Sequence, residues 1–213
     1  MKSDRLNDTL YQKCKKKGLN FNHVAEVGVW SPETSNVLGF IQDGIRATLV
    51  EPLPDKIESI KQYFGNNQNV KLFPFAIYER EGELDLFNKG ASTFAGELKS
   101  SPALVNDKYI AKPVDKVTVQ AKLFSSIDDG TIDLLSVDTE GCEWYVLKFM
   151  SSRPTVISIE THGKKYINPF IKEIERWMKD NDYVVWYKEK SDTVYMKTGA
   201  IKLKMWEKMK LIF

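Results

Sequence analysis

The chain predicts an α/β fold, a three-layer, doubly wound and mostly parallel sheet closed at its C-terminal end by an antiparallel strand pair. Three observations carry that prediction. Short apolar runs of strand length, such as Val24 to Val27, Ala47 to Val50, Ile132 to Val137 and Val156 to Glu160, suit strands buried on both faces. Stretches with helical periodicity stand between them, so each crossover returns right-handedly over a face of the sheet. Acids and glycines gather where strands hand over to helices.

Asp4 to Lys17, within an N-terminal segment 1–20, reads as a helix with Leu6, Leu10 and Cys14 on one face and Gly18 as its stop. Val24-Ala-Glu-Val-Gly-Val-Trp is the first parallel strand and its exit. Ser31 as N-cap, Pro32 at the first helical position and Glu33 in the first turn then start a helix that runs to about Gln42. The second strand, Ala47 to Val50, ends on Glu51; Pro52 breaks it and Pro54 starts a helix to about Phe64. A third strand covers Val70 to Ile77. Glu83 to Phe87 and Lys116 to Gln120 alternate like short strands and flank a Gly-, Ser-, Pro- and Lys-rich loop at 88–112, long enough to read as a lid. Beyond the Ile132 strand, Cys142, Tyr145, Val146, Phe149 and Met150 form a helical stripe. Asn168 and Pro169 start another helix after the strand that ends in Glu160 and His162. Tyr183 to Tyr187 and Thr193 to Met196 form the antiparallel pair, and 201–213 is a basic, aromatic tail.

The 213 residues suit a single domain, with 42% hydrophobic and 28% charged residues. A net charge of +2 gives no global reason for nucleic acid, although pI 8.3 and lysine clusters leave an acidic substrate open. Cys14 and Cys142 have no metal-ligand spacing and suit a reducing compartment, so a cytoplasmic location is expected. Residues 1–20 lack the apolar core of a signal peptide, and no run approaches transmembrane length. The oligomeric state stays open.

Chemistry belongs at the carboxyl ends of the strands. There Asp138, Glu140 and Glu143 crowd one turn, with Gly141 permitting close backbone approach. Acids in a first helical turn also complement the helix dipole, which is the plainer reading for Glu143. Glu51 follows Gly28 by 23 residues, near the roughly 20-residue interval at which an acid meets the hydroxyls of a ribose. A carboxylate suits that diol because it accepts from both hydroxyls. The nicotinamide fingerprint G-x-G-x-x-G is absent, since Gly28-Val-Trp-Ser-Pro-Glu keeps only its first glycine. A nucleoside with an amino-acid end fits better: Glu26 meets an ammonium, Gly28 lets the backbone approach, and Glu51 holds the ribose.

The chain resembles the FkbM-type methyltransferases, a class I, Rossmann-like family dependent on S-adenosylmethionine. The match rests on Val24-Ala-Glu-Val-Gly, Leu49-Val-Glu-Pro-Leu-Pro, Phe75-Ala-Ile with Gly82 beyond it, Asp133-Leu-Leu-Ser-Val-Asp-Thr-Glu-Gly-Cys-Glu with Val146-Leu, and Ile159-Glu-Thr-His. The resemblance implies cofactor contacts at Glu26, Gly28, Trp30, Glu51, Pro52, Ala76 and Asp138, with S-adenosylmethionine as methyl donor. It also implies O-methylation of a hydroxyl on a sugar, glycan or small metabolite. The chain departs from the family's usual Asp-x-Gly-Ala-Asn-x-Gly, with Glu26 for the aspartate, Trp30 for the asparagine and Pro32 for the second glycine. Ser136 stands where a lysine is common.

A hydroxyl is a poor nucleophile, so a general base is expected: His162 first, with Glu160 orienting it or acting instead, and Glu140 binding acceptor hydroxyls. Asp138, Glu140, Glu160 and His162 are also ligands for Mg²⁺ or Mn²⁺; no spacing enforces such a site, and no metal is expected. Two other functions compete. One is methylation of protein or nucleic acid, against which Asp-Thr-Glu-Gly stands where base amino methylation wants Asn/Asp-Pro-Pro-aromatic. The other is a non-catalytic cofactor-fold subunit docking through the basic tail.

Overall fold

A computed structural model of the protein describes residues 10–189 and 191–201. The helices are α1 (Leu10–Lys16), α2 (Leu38–Gln42), α3 (Pro54–Phe64), α4 (Pro102–Val105), α5 (Glu143–Lys148) and α6 (Ile171–Asp180). The strands are β1 (His23–Val27), β2 (Arg46–Val50), β3 (Val70–Phe73), β4 (Ala76–Ile77), β5 (Gly82–Phe87), β6 (Phe94–Ala95), β7 (Lys116–Lys122), β8 (Leu134–Val137), β9 (Val156–Glu160), β10 (Tyr183–Lys188) and β11 (Asp192–Lys197).

Seven strands form the main sheet in the order β10-β11-β9-β8-β1-β2-β3. The five from β3 to β9 run parallel. β11 lies antiparallel between β9 and β10, so the C-terminal pair closes the sheet by inserting its last strand inward. Side-chain alternation divides the core cleanly. Ala25, Val27, Leu135, Val137, Ile157 and Ile159 pack on one face with Val146 and Leu147 of α5 and Ile174 and Met178 of α6. Val24, Ala47, Leu49, Leu134 and Val156 pack on the other with α1, α2 and α3. Successive side chains point to opposite faces of a strand, which is why neighbouring residues of β1 serve different cores. Among the described residues no helix is long and apolar enough to cross a membrane.

The register positions the site. Val27 is level with Val50 and Val137, and Val137 with Ile159. The next residues, Gly28, Glu51, Asp138 and Glu160, therefore stand in a row along the carboxyl edge.

The structure corrects the sequence reading in four places. The third strand stops at Phe73; Pro74 offers no N–H to a ladder, and Ala76 and Ile77 join a second sheet, β4-β7-β5-β6, instead. The loop at 88–112 carries β6 and α4 and packs against that sheet through Ala95 and Leu98. The helix expected from Ser31 is a 3-10 turn at Pro32–Thr34, with α2 starting only at Leu38. Ser31 makes no side-chain cap bond there, because Ser35 and Asn36 bond the buried Glu26 and draw the chain off a helical path. Likewise α6 starts at Ile171, since Asn168 accepts from the Phe170 N–H while donating to Glu143. Residues 1–9 and 202–213, with most of the expected N-terminal helix extension and basic tail, lie outside the described residues.

Candidate active site

The carboxyl edge opens on a crevice of about 260 Å³ between the main sheet and the second sheet. Glu26, Gly28, Trp30, Glu51, Pro52, Ala76 and Asp138 all line it, and so does Glu140. Leu53, Phe75, Ile77, Leu84, Leu86 and Ala95 supply apolar walls. The floor depends on one glycine: Gly28 has φ +87°, and a Cβ there would stand 1.8 Å from the carbonyl oxygen of Asp138. Its absence lets the ends of β1 and β8 meet, with the Asp138 N–H donating to Val27 at 3.0 Å.

At one end of the crevice the carboxylates are held. Glu51 accepts from the backbone N–H of Trp30 at 2.9 Å and of Leu53 at 3.0 Å. Trp30 takes φ 54° to make that contact, and Lys56 lies 3.7 Å above its ring centroid. Glu26 accepts from the Ser35 hydroxyl and from the Asn36 N–H at 2.9 Å. Desolvation pushes Glu26 up to about 7 against the pull of those two bonds. It raises Glu51 as well, opposed by the Leu53 and Trp30 amides.

The other end differs. Asp138, Glu140 and Glu160 each bring a carboxylate oxygen into one group whose members lie within 4.8 Å of one another. Asp138 Oδ1, Glu140 Oε2 and Glu160 Oε2 are buried without a hydrogen-bond partner. Burial, then repulsion from neighbouring acids, holds all three carboxyls well above the usual range, Glu140 at about 9 and Glu160 at about 11; for Asp138 those acids are Asp192, Glu143 and Glu26. Glu140 sits at φ 56° and Gly141 at φ 115° in the turn that presents them. A Cβ on Gly141 would press to 2.9 Å from Leu98 and 3.2 Å from the Ser100 carbonyl.

Glu143 holds that turn, and the sequence did not reveal it. Fully buried, it accepts from the Thr139 N–H at 2.8 Å, the Thr139 hydroxyl at 3.1 Å and the Gly141 N–H at 3.1 Å, with the Asn168 amide closing the set. The available signal was the spacing of Thr139, Gly141 and Glu143 just before a helix, which admits a carboxylate folded back on its own turn. Asn168 carried no signal, because it comes from the far side of β9. Of the residues expected to be catalytic, only Glu140 lines the crevice. Glu160 stands behind it, and His162 is half-buried, with Nδ1 2.9 Å from the Thr161 hydroxyl and its ring acting electrostatically on Asp192.

A parallel sheet of this order, with an acid after its second strand and a glycine-floored crevice, defines a Rossmann-like nucleoside-binding protein. A profile described as the methyltransferase FkbM domain matches residues 21–185, most of the chain. The protein belongs to the FkbM methyltransferase family. Comparison with curated protein sequences gives no match. Among solved structures, a putative RNA methyltransferase of Pyrococcus horikoshii is similar at 12% identity and TM-score 0.47, covering 87% of this chain and 78% of that one. Aeropyrum pernix fibrillarin with bound S-adenosyl-L-methionine is similar at 10% identity and TM-score 0.46, covering 88% and 73%. Precorrin-6y C5,15-methyltransferase of Geobacter metallireducens is similar at 12% identity and TM-score 0.41, covering 87% and 84%. S-adenosylmethionine is the methyl donor this family implies, and the residues present fit it: a pinned acid for a ribose diol, an acid for an ammonium and apolar walls for a purine.

Proposed function

We propose that the protein is an S-adenosylmethionine-dependent O-methyltransferase acting on a hydroxyl of a sugar, glycan or small metabolite. The observation that carries this reading is the pairing, in one crevice, of an amide-pinned Glu51 with partnerless carboxylate oxygens at the opposite end. Carboxyl groups without partners suit a ligand rich in hydroxyls, which both donate and accept.

When bound, the donor supplies a methyl group already activated on a sulfonium. The chain's own residues then have to bind it, align an acceptor oxygen, exclude water and accept the hydroxyl proton. Glu51 accepts from the ribose hydroxyls, and its fixed orientation means that little rotamer freedom is lost on binding. Glu26 faces the ammonium. Trp30, Pro52 and Ala76 shape the wall of the donor's part of the crevice, and Asp138 lines it at the end it shares with Glu140. Glu140, at the crevice surface, receives the acceptor's hydroxyls, with Glu160 behind it. His162 takes the proton from an acceptor that extends beyond the crevice lining to reach it: Thr161 engages Nδ1, which leaves Nε2 for the transfer.

Calorimetry with S-adenosylhomocysteine tests the donor half. Binding by the wild-type chain and its loss in Glu51→Ala support the reading, whereas no binding by the wild type would favour a non-catalytic subunit. Turnover of labelled donor against hydroxylated sugars and metabolites tests the acceptor half. Methyl transfer to oxygen, reduced at least tenfold in kcat by His162→Ala, is expected; transfer only to amines or to RNA would overturn it.

A further inference from the structure

The group at the ends of β8 and β9 lacks a counter-charge. Asp138, Glu140 and Glu160 sit among further acids, Glu143 and Asp192, and among the described residues no lysine or arginine pairs with any of the three. A second feature points the same way. Tyr166, 1% exposed, buries a hydroxyl that also lacks a partner, 3.5 Å from where a Gly141 Cβ would stand, and the acids acting on it are Glu143 first, then Glu160 and Glu140. Three carboxyls that offer oxygens within 4.8 Å of one another, each with an orphaned oxygen, and an orphaned hydroxyl beside the turn that carries two of them suit a cation.

We propose that Asp138, Glu140 and Glu160 bind one divalent cation, Mg²⁺ or Mn²⁺, at the acceptor end of the crevice. An all-oxygen donor set selects this class of ion over zinc or copper. Ligand oxygens on opposite sides of such an ion stand roughly 4 to 5 Å apart, twice the metal–oxygen distance, and the three carboxylates already lie within 4.8 Å. Glu143 and Asn168 fix the turn that carries two of the ligands, and the unpartnered Tyr166 hydroxyl would take a water on the ion as its partner. Because Asp138 and Glu140 also line the crevice, the ion's remaining positions face it and would take an acceptor's hydroxyl or carboxylate oxygens. That last role rests on the function proposed above; the site itself does not.

The test uses the full chain stripped with chelator and titrated with Mn²⁺, followed by electron paramagnetic resonance and calorimetry. One Mn²⁺ per chain is expected, displaced by excess Mg²⁺ and weakened at least tenfold in both Glu160→Gln and Glu140→Gln. Circular dichroism of the variants establishes that they fold, and a Mn²⁺-dependent rise in melting temperature should appear in the wild type and vanish in both. No binding at millimolar Mn²⁺, or equal affinity in wild type and folded variants, would overturn the site. S-adenosylhomocysteine titrated into the wild-type chain in chelator reports on the donor crevice alone, so failure of the donor reading and failure of the ion site are separate results.

Discussion

The two ends of the crevice are both acidic, yet they treat their carboxylates in opposite ways. At Glu26 and Glu51 every carboxylate oxygen has a donor from the protein's own backbone or from Ser35. At Asp138, Glu140 and Glu160 oxygens are buried with none. The difference separates two jobs. An acid with internal donors is oriented before any ligand arrives, whereas acids packed together without donors are stable only when a ligand brings the positive charge or the protons they lack.

The contrast can be broken most forcefully at Glu143, the residue that makes the partnerless end possible. Glu143→Ala would strand the Thr139 and Gly141 amides and the Asn168 side chain in a buried site, and should lower stability by about 3 kcal/mol in urea unfolding. An unchanged unfolding midpoint would show that the turn holds without it. Next in size is Glu51→Ala. Hydrogen bonds to a charged group contribute about 1.5 to 3 kcal/mol each, so S-adenosylhomocysteine affinity should fall by roughly ten- to a hundredfold in calorimetry.

The opposite sign is expected at the other end. Glu160→Gln replaces a partnerless buried acid with a neutral side chain of the same shape, so in chelator the variant should melt a few degrees above the wild type, about 1 kcal/mol. A lower melting temperature would mean that Glu160 is satisfied after all. The smallest effect sharpens the comparison at Glu26. With its folded value raised to about 7 and its unfolded value near 4.5, the native state keeps a proton that the unfolded chain has released between those limits. This group's contribution is therefore fully present below pH 4.5 and is lost as pH rises through 7. Glu26→Gln should have a shallower decline in stability across that window, measured by denaturant titration at each pH, and parallel curves would refute the assignment.

How much of this was readable from residues alone follows from the range of the forces involved. Runs such as Leu134–Val137 and Val156–Glu160 are apolar throughout because both faces of the sheet are covered, and burial of that kind is written directly in composition. Pro54 at a helix start acts through its own backbone and was equally legible, whereas the third strand was read through Pro74 to Ile77 and stops at Phe73. The helix expected at Ser31 failed because its cap signal was local while the decisive bonds, from Ser35 and Asn36 to Glu26, reach back across the crevice floor.

By itself, then, the sequence determined the order of strands and helices, the family, and the presence of acids where parallel strands end. These depend on periodicity and on short-range backbone chemistry. Only the tertiary structure decided which acids have partners. Register sets Glu160 beside Asp138, and Asn168 reaches Glu143 from beyond another strand. Whether a carboxylate is satisfied depends on donors from distant segments, and no spacing along the chain encodes their arrival.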